Sequence, residues 1–224
     1  MSRVRDDNPK NMKVDALNPF HYKTFNLEEL KNYFHQKPSS IKVQLVRLCK
    51  NKKLIRLKQN LYTFPDFHPG VFLIGQQMVA PSYYSLESVL SWNGIIPEGV
   101  ATYTLITSKK TQKYSNEFGT FGYRHLSPEL FFGVEHRKDG VWLATREKAL
   151  LDYLYLNSKK FTAKSYPKGA TFFPCWEAER FDGLSDLNWK QMQKWALKYK
   201  MKKLKILVDS LGSYVGSSEY QGHK

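Results

Sequence analysis

Cysteine is nearly absent from this chain. Two residues, Cys49 and Cys175, stand far apart among 224, too few for a disulfide scaffold and too distant in sequence for a paired metal motif. Both are expected to be buried and inert. No run approaches the roughly 18 to 20 consecutive apolar residues that a membrane span requires, and the opening segment MSRVRDDNPK has no apolar signal core. The expectation is a cytoplasmic protein with no membrane segment. Catalytic signatures are missing as well: there is no Gly-x-x-x-x-Gly-Lys phosphate loop, no His-Glu-x-x-His and no Gly-x-Ser-x-Gly elbow. A nucleotidyltransferase needs a Gly-Ser turn followed by two carboxylates one residue apart to hold its metal ions; Glu177 and Glu179 have the spacing without the turn. Gly119 and Gly122 have the bare spacing of an RNA-clamping loop but lie in an aromatic, strand-like run. His21, His35, His68, His125, His136 and His223 show no ligand spacing. No catalytic residue, cofactor or metal site is assigned, and the chain reads as non-enzymatic, with a nucleic-acid-processing enzyme as the alternative from another class.

Acidic residues are the other shortage. Lys and Arg number 35 against 20 Asp and Glu, a net charge of +15, while a 42% hydrophobic and 15% aromatic composition is that of a chain that folds. Only a partner rich in negative charge, nucleic acid or an anionic surface, uses such an excess productively. The excess is not spread evenly. Residues 1–66 carry 14 basic and 6 acidic residues, 67–157 carry 8 of each, and 158–224 carry 13 and 6. Between Leu30 and Pro65 stand nine basic residues, from Lys31 to Lys58, and no acidic one.

Around that run the pattern is helix, turn, helix, hairpin. Asn26 with Glu29 offers a capping box, and Leu27, Leu30, Tyr33 and Phe34 recur at helical spacing, predicting a helix over about 27–35. Pro38-Ser39-Ser40 breaks it and supplies N-caps for a second helix with Ile41, Leu45, Leu48 and Lys52 on one side. Val43, Arg47 and Lys50 lie opposite, flanked by Gln44 and Asn51. Leu54–Leu57 and Leu61–Phe64 read as strands around Lys58-Gln59-Asn60, where Asn60 suits a left-handed turn position. This is the pattern of a winged helix-turn-helix. Its second helix would enter the major groove of double-stranded DNA, with Gln44, Arg47 and Asn51 toward base edges and Lys50, Arg56 and Lys58 toward phosphates. Ser39, Ser40, Lys42, Gln59 and Asn60 complete the expected DNA-binding set. A basic helix with a merely solvated face is the competing reading.

The neutral middle predicts a helix over about 83–93 stopped by Gly94, short strands at Thr102–Thr107, Phe118–Leu126 and Val141–Ala144, and a helix capped by Thr145 that carries Ala149, Leu150, Tyr153 and Leu154. Beyond a Pro- and Gly-punctuated stretch from Lys159 to Pro174, one helix sets Trp189, Met192, Trp195, Ala196 and Tyr199 against Lys190, Lys194 and Lys198. Another, over about Met201–Leu211, exposes Lys202, Lys203 and Lys205. The tail from Ser213 is expected to be disordered. The fold class is therefore α+β, with a winged-helix domain over 1–66 and a mixed α/β domain over 67–212.

Three motifs carry a family resemblance. Tyr84-Ser85-Leu86-Glu87-Ser88-Val89-Leu90 with Gly94-Ile95-Ile96-Pro97-Glu98, then Phe118-Gly119-Thr120-Phe121-Gly122-Tyr123-Arg124-His125, then Arg146-Glu147-Lys148-Ala149-Leu150-Leu151-Asp152-Tyr153-Leu154, match in order and spacing. With the module ahead of them, the chain resembles the AbiEi-type antitoxins of bacterial abortive-infection systems over residues 24–212. The resemblance implies a winged-helix domain that binds inverted repeats in its own promoter, two protomers per site. It also implies a C-terminal domain that neutralises a nucleotidyltransferase-like toxin in the type IV manner, without a stable complex. Lys190, Lys194, Lys198, Lys202, Lys203 and Lys205 form the candidate antitoxin surface. The family wing usually turns on Gly where this chain has Asn60, and Pro19 interrupts the helix expected before residue 27. A plain winged-helix regulator without a toxin partner is the nearest alternative.

Overall fold

The computed structural model of the chain describes residues 14–67, 69–161, 176 and 179–217. It is an α+β protein with two sheets. The chain divides into two compact units: the first extends through Met78 and takes in Tyr114–Thr120, and the second holds Val79–Lys113 and the chain from Phe121 onward. The division thus falls past the 66/67 position expected from the turn-rich Pro65–Pro69 segment. A helix from Val71 to Met78, which composition does not announce, lies between the two positions.

In the first unit a 3-10 turn over Val14–Phe20 contains Pro19, whose missing N–H and fixed φ keep the segment from becoming an α-helix. Strand β1 (Phe25–Asn26) leads directly into helix α1 (Leu27–Phe34). The capping box is fully formed: the Glu29 N–H donates to the Asn26 side chain at 3.0 Å, and the Asn26 N–H donates to the Glu29 carboxylate at 2.7 Å. Helix α2 spans Pro38–Lys50, with Lys37 as N-cap and Pro38 in the first helical turn. Ser39 and Ser40 are thus inside the helix rather than caps, because proline suits a position where an N–H would be unpaired anyway. Strands β2 (Ile55–Lys58) and β3 (Leu61–Thr63) form the hairpin, with Asn60 at φ 61° in the turn. The sheet order is β1-β3-β2, antiparallel throughout. Leu17, Phe25, Leu30, Ile41, Leu45 and Leu54 form the centre of one buried cluster that joins α1, α2 and the sheet. Helix α3 is Val71–Met78.

The other sheet has six strands: β4 (Ser82–Tyr84), β5 (Tyr103–Thr107), β6 (Gln112–Asn116), β7 (Gly119–His125), β8 (Val134–His136) and β9 (Trp142–Ala144), in the order β6-β7-β5-β4-β9-β8. It is mixed, with β5 parallel to β7 and β4 parallel to β9, while β4 with β5 and β8 with β9 run antiparallel. Helix α4 (Leu86–Trp92) starts three residues later than the pattern suggests, because Ser82–Tyr84 pairs with β5. Helix α5 (Arg146–Leu156) is capped by Thr145, whose side chain accepts from the Lys148 N–H. Helices α6 (Trp189–Lys198) and α7 (Lys202–Val215) pack on each other and on α5. Helix α7 runs beyond the expected end at Leu211, and Tyr214 is buried. Ser213–Val215 is therefore helix and not disordered tail; residues 218–224 lie outside the described residues, as do Cys175 and Glu177. Cys49 is half-buried rather than buried, and burial pushes its thiol up. No described helix is long and apolar enough to cross a membrane.

The interior of the second unit holds an ion pair that sequence patterning does not single out. Lys148 and Asp152, one turn apart on α5, are both 0% exposed, with Nζ and Oδ1 2.5 Å apart. Tyr199 bridges them, its hydroxyl accepting from Lys148 at 2.7 Å and donating to Asp152 at 2.6 Å. The other carboxylate oxygen accepts from Ser85 at 2.8 Å and Tyr83 at 3.1 Å. Lys148 also lies 4.8 Å from the Phe132 ring centre, so the ammonium is surrounded by oxygen and π-density. Burial pushes Lys148 down, with Asp152 opposing; burial, reinforced by Asp152, pushes Tyr83 and Tyr199 up. Removing one charge leaves the other buried without its partner. We expect Lys148→Met to cost about 3–5 kcal/mol in urea unfolding, and Lys148→Met with Asp152→Leu to recover most of that loss. Equal losses in the single and double variants would show that packing, not pairing, is at stake.

Candidate nucleic-acid interface

Helix α2 is divided cleanly along its length. Ile41, Gln44, Leu45 and Leu48 are buried, a spacing that keeps one side of the helix on the hydrophobic cluster. Ser39, Lys42, Val43, Val46, Arg47 and Lys50 are exposed on the other side. Ser40 is half-buried, and its N–H donates to the Lys37 carbonyl at 3.1 Å. Asn51 is exposed at the C-cap, its N–H donating to the Arg47 carbonyl at 3.0 Å. Arg47 and Lys50 occupy the last turn of α2, where the helix dipole favours cations.

Gln44 is a correction. Only 5% of it is exposed, because it precedes Leu45 on the inward side. It is not on the exposed side of α2 and leaves the set of candidates for base contact. The sequence pattern places it at the edge of the outer face; three-residue spacing from Ile41 is the signal that it turns inward.

The hairpin adds a second basic element. Along β2, Ile55 and Leu57 point inward and Arg56 outward, with Lys58 half-exposed. The Arg56 Nε–H donates to the Lys58 carbonyl at 3.4 Å. The Lys58 ammonium lies 5.6 Å from the centre of the Tyr114 ring, and burial pushes it down. Gln59 and Asn60 are exposed at the turn. A kink in register between Arg56 and Lys58 accompanies this change of direction.

Charge pairing inside the module is sparse. Lys31 pairs with Glu28 at 3.2 Å. Among the described residues, no carboxylate stands within ion-pair distance of Lys37, Lys42, Lys50, Lys52 or Lys53. Four of the nine basic residues of the run, Lys42, Arg47, Lys50 and Arg56, are exposed on α2 and the hairpin, with Lys58 half-exposed beside them. Exposed cations on a helix and an adjoining hairpin are of the kind that can meet phosphates.

The C-terminal lysines divide differently. Lys190, Lys194 and Lys198 on α6 and Lys202 and Lys205 on α7 are exposed, as expected. Lys203 is half-buried and donates to the Ser158 carbonyl, so it leaves the stripe and ties α7 to the end of α5. Lys198 is occupied in part, lying 4.5 Å from the Phe132 ring centre. Glu179 accepts from Lys160 at 2.7 Å. No group of His, Cys, Asp and Glu among the described residues could hold a metal ion. No protein-family model matches the chain, and no curated protein matches it either.

The division of α2 has a direct consequence for variants. Gln44→Ala should lower stability by about 1–3 kcal/mol, the cost of disturbing a buried polar group, without changing preference among duplexes. Arg47→Ala should lower stability less than Gln44→Ala does, since Arg47 is exposed, and, on a DNA-binding reading, cost about 1–3 kcal/mol of discrimination between a preferred duplex and a random one. Thermal melts and competition binding on the two variants check this; a loss of sequence preference in Gln44→Ala at unchanged stability would contradict the assigned faces.

Proposed function

We propose that the first unit is a winged helix-turn-helix, that the chain binds double-stranded DNA through α2 and the hairpin, and that it acts as an autorepressor and antitoxin of the AbiEi type. The observation that carries the DNA reading is the outer face of α2, where Lys42, Arg47 and Lys50 are exposed within a run that has no acidic residue from Leu30 to Pro65. Helix α1 followed by α2 gives the helix-turn-helix, α2 being the groove helix and β2–β3 the wing. Such a face attracts a polyanion and repels a polycation, and the hairpin beside it extends the same charge along the duplex backbone. Inverted repeats in the promoter would seat two protomers, since a two-fold site presents the same half-site twice.

The antitoxin half of the proposal is supported by the resemblance of the three motifs between Tyr84 and Leu154. On this reading the protein is a non-enzymatic, cytoplasmic regulator that counteracts a nucleotidyltransferase-like toxin. The exposed lysines of α6 and α7 are the candidate surface for that task. Coexpression with a nucleotidyltransferase-like toxin, taken from the neighbouring reading frame if one is encoded there, should restore growth; a chain that represses its promoter and never rescues is a plain regulator.

The DNA reading is tested by salt. The full chain should bind a duplex of its own promoter with an affinity that falls linearly in log K against log salt, at roughly −0.9 per phosphate contact. Lys42→Ala and Lys50→Ala should each flatten that slope by about one such contact. Affinity unchanged between low and physiological salt would overturn the proposal.

A further inference from the structure

Two exposed valines sit in the middle of this basic helix face. Val43 is 61% exposed and Val46 62%, and both are enclosed by Ser39, Lys42, Arg47 and Lys50 on the same side of α2. Nothing about helix formation requires them, since β-branched side chains lose rotamer freedom in a helix and gain nothing from water. They are three residues apart, so their positions differ by about 4.5 Å along the helix axis, on the scale of the roughly 3.4 Å step between stacked bases.

We infer that Val43 and Val46 read thymine: their isopropyl groups meet thymine 5-methyl groups in the major groove, while the surrounding cations hold the phosphates. The inference rests on the DNA-binding reading above and goes further, by naming the base that an apolar pair on this face selects. The thymine methyl is the apolar group that the major groove presents, and apolar side chains are its natural partners. A second copy of the chain fits the face poorly. A two-fold contact through the valines would bring Lys42, Arg47 and Lys50 against their own equivalents, and no acidic residue between Leu30 and Pro65 offsets that repulsion. Duplex DNA supplies the missing negative charge and the apolar methyl together.

Uracil isolates the methyl, because it differs from thymine by that group alone. A duplex selected by the full-length chain from a randomised library is compared with the same duplex carrying deoxyuridine for thymidine. Wild type should bind the uracil duplex more weakly, by about fourfold for each thymine methyl that a valine covers. The Val43→Ala, Val46→Ala double variant, altered only at exposed positions, should keep its fold and its salt dependence yet show a smaller difference between the two duplexes than wild type does. Equal binding of both duplexes by wild type, with salt dependence intact, would overturn the thymine inference and leave the DNA reading standing. Absence of salt-dependent duplex binding would overturn both. Self-association without DNA that the double variant abolishes would assign the face to a second copy instead.

Discussion

The rotational setting of α2 is the constraint on which the proposed DNA-binding face depends. Ile41 and Leu45 are fully buried against Leu17, Phe25, Leu30 and Leu54, and a helix held on one side by that many apolar contacts cannot turn about its axis without exposing them. The same four-residue repeat that puts Leu45 inward carries Lys42, Val43, Val46 and Arg47 outward. Hydrophobic burial therefore decides which side chains face a partner, and no polar interaction is needed to aim them. Asn26 and Glu29 support this indirectly: their reciprocal hydrogen bonds fix the start of α1, which packs on α2.

The second unit solves a different problem with a buried ion pair. Lys148 and Asp152 carry opposite charges into an apolar interior, at a desolvation cost that their mutual attraction and the hydroxyls of Tyr83, Ser85 and Tyr199 offset. These partners come from β4, the start of α4, α5 and the end of α6, so one carboxylate ties the sheet to three helices. The pair lies outside the face proposed for DNA, and its hydrogen bonds tie together several elements of its own unit. Glycine shows the same tightness nearby: a Cβ on Gly133 would stand 2.8 Å from the Trp195 ring, at a backbone φ of 64°.

Local signals in the sequence are legible where the chain itself supplies the partner. The Asn26 capping box, the Thr145 cap and the Asn60 turn each involve residues within a few positions of one another, and each is present. Strands formed by long-range pairing are legible only in part: β5, β7 and β9 stand where the β-branched and aromatic runs predict strands, whereas β1 is two residues long and β6 and β8 are sheet edges that the pattern does not mark. The pattern starts helix α4 too early because Tyr83 and Tyr84 are equally at home in a strand. At the candidate site, charge alone marks the basic residues of α2 and the hairpin. Gln44 is misplaced because its spacing sits at the border between the two faces, and Val46 escapes notice because an exposed valine looks like a core residue until its helix is oriented. The Lys148–Asp152 pair stands in view at one-turn spacing within an apolar helix, but such spacing is ordinary on solvated helices, and only packing tells the two cases apart.

Lysine reactivity tests the central claim most directly. Acetylation of the full chain, mapped residue by residue with and without its promoter duplex, reads every exposed ammonium at once. The account predicts that duplex protects Lys42, Lys50 and Lys58 while Lys190, Lys194 and Lys202 stay reactive. Protection confined to the lysines of α6 and α7, with α2 unchanged, would contradict it.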